Sequence, residues 1–148
     1  MSNSSYLLLA LIAGAGLAFQ AVINTRLSQA LGSPLWASVV QVFVGLLFLG
    51  VCVTVLRQPL PTFEGAGRLP WWIWTGGAIG AAYVLSVILT TRPLGVALMV
   101  ASVVVGQSAA ALLIDHYGWF GVEVHRLSPV RVAGVVLLLV GVLLIRWR

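Results

Sequence analysis

Charge is the scarcest commodity in this 148-residue chain: Asp, Glu, Lys and Arg together make up 7% of it, against 61% hydrophobic residues. A water-soluble domain carries about 25% charged residues, so there is too little charge here to coat a surface facing water. Lysine is missing altogether, and the acids are only Glu64, Asp115 and Glu123. In a soluble protein a net charge of +5 would invite a nucleic-acid partner. Here every arginine stands at or beside the end of an apolar run, as boundary residues of membrane spans do, and nucleic acid is excluded. The one cysteine, Cys52, cannot form an intrachain disulfide and reads as a small packing residue. No His, Asp or Glu lies within an apolar run away from its ends, so no nucleophile has a buried base and no metal cluster exists at depth. His116 and His125 have no metal-ligand spacing. The sequence therefore predicts no enzyme, no cofactor and no metal.

What the chain has is apolar length. Charge-free runs cover Met1–Thr25, Leu27–Leu56, Leu69–Thr91, Pro93–Ile114 and Val132–Ile145. A spanning helix needs about 20 apolar residues to cross roughly 30 Å of hydrocarbon. The last run is short by that rule, but Arg131 and Arg146 can snorkel to opposite surfaces and let the helix cross. Met1–Ser5 lacks the basic start of a secretory signal, so the first run reads as a retained helix. The prediction is an all-α integral membrane protein, one five-helix domain over 1–148, with spans near 6–25, 35–56, 71–89, 96–114 and 129–147. Pro and Gly punctuate each connection: Gly32-Ser33-Pro34, Pro59, Pro61, Pro70, Pro93, Gly95, Gly118, Gly121 and Pro129. Tyr6, Trp36, Trp71, Trp72, Tyr117, Trp119 and Trp147 fall near span ends as an aromatic belt.

Five spans divide the arginines evenly. Arg57, Arg68, Arg126 and Arg131 fall on one face of the membrane; Arg26, Arg92, Arg146 and Arg148 fall on the other. With no arginine bias there is no preferred orientation, and the chain is expected to insert both ways. Two opposed copies then pair about an axis in the membrane plane, an unfused version of the inverted repeat on which many transporters are built. The tally depends on the fifth helix crossing.

Small residues at helical spacing predict close packing: Gly76 and Gly80 in the third span, Gly134 and Gly141 in the fifth. The last pair serves a self-association seam or ordinary packing equally well. The polar residues inside the spans are the informative ones. Gln20 and Asn24 lie one turn apart in the first, Gln41 in the second, Tyr83 in the third and Gln107 near the middle of the fourth. Lipid satisfies none of an amide's hydrogen bonds, so these groups must face other helices as glue or line a wet cavity that takes substrate. Asp115 ends the fourth span at the negative end of the helix dipole, where it needs a cation. Arg126 and Arg131 are on its side of the membrane. A structural ion pair is the plainer reading, and a coupling-ion site the sharper one.

Some of these residues also carry a resemblance. Gln20-x-x-x-Asn24 before Gly32-Ser33-Pro34-Leu35, Pro70-Trp71-Trp72 with Gly76-Gly77-x-x-Gly80, Gly106-Gln107, Leu113-Ile114-Asp115-His116-Tyr117-Gly118 and Arg131-x-x-Gly134 with Gly141 together resemble the YdcZ-type family of small bacterial membrane proteins. That family belongs to the drug/metabolite transporter superfamily. The resemblance implies a multi-pass protein of the bacterial inner membrane whose five helices pair with a second unit into a ten-helix inverted-repeat transporter. The small multidrug exporters of the superfamily have a central carboxylate in their first helix; this chain has Gln20, so their proton-exchange chemistry does not carry over. The expected function is alternating-access transport of a small uncharged or amphipathic solute by an antiparallel homodimer, with membrane lipid around it. The alternative is a non-transporting assembly or regulatory subunit whose amides serve only helix packing.

Overall fold

Two of the helices begin at the same two-residue signal. Ser33 is extended (φ −151°, ψ 120°), and its hydroxyl accepts the Trp36 N–H at 3.3 Å while Pro34 takes the first helical position. Ser128 does the same for the Arg131 N–H at 3.3 Å, with Pro129 first in the helix. Serine satisfies an N–H that the first turn leaves open, and proline has none to lose. The computed structural model describes residues 3–61 and 69–147; Glu64, Arg68 and Arg148 lie outside the described residues.

The order is α1 (Asn3–Leu31), α2 (Pro34–Val55), a 3₁₀ turn (Trp71–Thr75), α3 (Gly76–Leu94), α4 (Val96–Tyr117), a second 3₁₀ turn (Trp119–Gly121) and α5 (Pro129–Arg146). Five helical segments are long and apolar enough to cross a membrane, the third running from Trp71 to Leu94. Most elements overrun the predicted spans, because a charge ends an apolar run without ending a helix. α1 continues past Thr25 through Arg26, itself a good helix former, and stops only where Gly32 adopts φ +67°. α3 continues through Arg92 and Pro93 until Gly95 turns the chain at φ +77°. α4 runs to Tyr117, so His116, expected in the loop, sits in the last helical turn. α5, with 18 residues, spans about 27 Å at about 1.5 Å per residue, close to the hydrocarbon thickness.

The chain divides into two compact units, Met1–Arg92 and Pro93–Arg148. In the first, α1 and α2 form a helical hairpin whose buried residues are small or polar: Ala21, Asn24 and Thr25 on α1, Ala37 and Ser38 on α2. α3 buries Val87, Ile88 and Thr91. In the second unit α4 packs along α5, with Met99 buried. Among the described residues no large side chain is fully buried, and long rows of Leu, Val, Ile and Phe stand exposed. Such a surface is stable only against lipid or another membrane helix.

Candidate functional site

The polar side chains inside the helices separate into two chemical groups. The hydroxyls of Thr25, Ser38, Thr54, Ser86, Thr90, Thr91 and Ser102 each donate to the carbonyl one turn back in their own helix, at 2.7 to 2.9 Å. A short hydroxyl side chain can reach that carbonyl, so it asks nothing of a neighbouring helix. The longer amides make no such bond. The Gln41 Oε1 atom is buried and accepts no hydrogen bond among the described residues.

Where the amides sit differs from helix to helix. Asn24 is buried on α1 at 6% exposure, and Gln20, one turn earlier, is half-buried. Gln41 on α2 and Tyr83 on α3 are also half-buried, whereas Gln107 on α4 is exposed on the single chain. Gln20, Gln41, Tyr83 and Gln107 each lie within about 5 Å of the middle of their own helical segment, at about 1.5 Å of rise per residue. The first unit holds Gln20, Asn24, Gln41 and Tyr83; the second holds Gln107.

The first unit also has a cavity of about 450 Å³ between α2 and α3, whose described lining includes none of Gln20, Asn24, Gln41 and Tyr83. Leu35, Val39, Val42, Phe43 and Leu46 line one side, Ala81, Ala82 and Leu85 the other, and Ser38 gives the wall its hydroxyl. Sequence reasoning missed these apolar residues, since a leucine facing a cavity and one facing lipid read alike. The glycines expected in packing have open space where a Cβ would stand: nothing lies within 4 Å at Gly76, Gly80, Gly134 or Gly141.

The second unit carries a polar clasp where α4 meets the chain returning to α5. The Arg131 guanidinium pairs with the Asp115 carboxylate, both about a third exposed, and donates to the His125 carbonyl at 3.1 Å. The His125 N–H donates to the Asp115 carbonyl at 2.8 Å, and the Leu127 N–H to His116 Nδ1 at 3.2 Å. Arg126, the other cation considered for Asp115, is exposed and forms no salt bridge among the described residues. Gly118, at φ +64°, closes α4 by donating its N–H to the Ile114 carbonyl. A Cβ there would meet Val124 Cγ2 at 2.7 Å. Beyond it Tyr117 stacks on Trp119 with ring centroids 5.3 Å apart.

Five membrane-length helices with amides at mid-helix and charge held at the ends define a small polytopic membrane protein. The family described as "Putative inner membrane exporter, YdcZ" matches residues 5–144, and the chain belongs to that family. It is 29% identical over 150 residues to Inner membrane protein YdcZ of Escherichia coli (strain K12), covering 100% of this chain and 99% of that protein. No solved structure matches the chain. The motif resemblance is thus shown, and the protein is a multi-pass protein of the bacterial inner membrane. The family's description points to transport rather than catalysis.

Proposed function

We propose that this protein exports a small uncharged or amphipathic solute by alternating access, as an antiparallel homodimer of ten helices. The observation that carries the reading is Gln107: an amide at the middle of a membrane-length helix, left exposed by the unit of α4 and α5. Hydrocarbon cannot satisfy it, so another helix, a second copy, water or solute must. Gln41 adds a buried acceptor without a donor among the described residues, and the separate cavity beside α2 offers apolar walls of the kind that small-solute sites use. Gln20 and Tyr83 supply further polar groups at comparable depth, and Asn24 another one turn beyond Gln20. The even arginine tally supports opposed copies, and rocking of one against the other gives alternating access. The exporter family supports transport as the activity.

Thiol labelling tests it. In a Cys52→Ser background, Gln41→Cys and Gln107→Cys are treated in membranes with a charged, membrane-impermeant maleimide. Reaction at both positions is expected of a wet path. Inertness at both, with dimers lost in the corresponding Leu variants, would assign the amides to packing and the chain to the non-transporting class.

A further inference from the structure

We propose that the second unit carries a site for one anionic phospholipid, its headgroup held at Arg146 and an acyl chain laid along α4 and α5. The proposal stands on two neighbouring hollows of this unit. The first, about 630 Å³, lies between residues 94–98 and 144–147, and Arg146, beside the interfacial Trp147, is the one charged residue of its lining among the described residues. No carboxylate among the described residues lines it. Among the described residues Arg146 has no ion-pair partner, and Asp115, at the opposite end of α4, is already held by Arg131. Arg146 is exposed and so is open to an anion from outside the described chain.

The second hollow, about 340 Å³, is an apolar groove on the same two helices, from Ala101 and Val104 across to Gly134 and Gly141. Ile145 lines both hollows, which makes them neighbours along α4 and α5. The two glycines keep that groove open, with nothing within 4 Å of where their Cβ atoms would be. They lie seven residues apart, about 10.5 Å of helix at about 1.5 Å per residue. One occupant matches both parts: a molecule anionic at one end and hydrocarbon at the other. A diacyl phosphate ester has that shape, and arginine is a strong donor to phosphate oxygens. A soluble phosphate would leave the groove empty. An inverted second copy would instead bring a carboxylate such as Glu123 to this side of the membrane, and wild type would then show no lipid preference.

The test uses the full-length protein in a neutral detergent, where the direction of membrane insertion no longer matters. Phosphatidylglycerol and phosphatidylethanolamine of equal chain length are added together, and retained lipid is counted by native mass spectrometry. The expected result is a preference of about fivefold for phosphatidylglycerol, the effect of one arginine near a phosphate. Arg146→Gln should bring the ratio to about one, and Arg146→Lys should restore most of it. Gly141→Leu should lower retention of both lipids, while Arg57→Gln should change nothing. Glycerol phosphate without acyl chains should not displace the lipid. Equal retention in wild type and a helical, monodisperse Arg146→Gln protein overturns the proposal. So does displacement by glycerol phosphate, or a Gly141→Leu protein that loses its dimer but keeps its lipid preference.

Discussion

Gln41 and Gly118 show how differently two single residues answer to their surroundings. An acceptor buried without a donor costs a fold about 1–3 kcal/mol, so removing it relieves the fold of that burden. Gln41→Leu is therefore expected to keep or raise the thermal stability of the purified protein. Solute binding in the same variant should weaken by about tenfold, the equivalent of about 1.4 kcal/mol. A clear drop in melting temperature would mean that Gln41 has a protein partner, and the proposed site would lose its acceptor. Gly118 is the opposite case. Its left-handed backbone costs any L side chain about 1–2 kcal/mol, and Val124 Cγ2 occupies the space of a Cβ. Gly118→Ala should lose at least that much in an unfolding titration, and adding Val124→Ala should return part of it. The type of each polar residue was legible in the sequence; its burial was not. Nothing in the spelling of Asn24 and Gln107 told that one would be buried and the other open, because azimuth around a helix is fixed by which neighbour packs against it.

At the scale of elements, apolar length announces each helix but charge does not mark its ends: Arg26 and Arg92 lie inside α1 and α3. The true stops are Gly32, Gly95 and Gly118, each at positive φ, and the true starts are the two Ser-Pro pairs. Their meaning was available as capping chemistry, but they were read only as breaks. The clasp between α4 and α5 was half visible. Asp115 needed a cation, but two arginines lay on its side of the membrane, and the fold brings the one more distant in sequence, Arg131 rather than Arg126, to it. Partly exposed pairs contribute little, so Asp115→Asn should cost less than about 1 kcal/mol. Arg131→Ala should cost more, since it also abandons the His125 carbonyl. Transport measured across a pH series should keep its profile in Asp115→Asn if the pair is structural. A flattened profile in a well-folded variant would make Asp115 a coupling group.

For the whole molecule, the balanced arginines carry the strongest expectation. Reporter tags fused to the C-terminus should read from both sides of the membrane in comparable amounts. Replacing Arg26 and Arg92 by Gln should drive almost all copies into one orientation; a wild type found on one side only would sink the opposed pair. How such a protein is made follows from the hydroxyl bonds. Each serine or threonine that bonds its own preceding turn arrives in the bilayer already satisfied, so a helix carrying only those can leave the insertion machinery alone. Gln41 and Gln107 have no such internal partner, and α2 and α4 must carry theirs unfinished until something meets them. In the proposed dimer, biogenesis would have a built-in order: the helices enter singly, and the amides hold the last step open for a companion that the ribosome has not yet delivered.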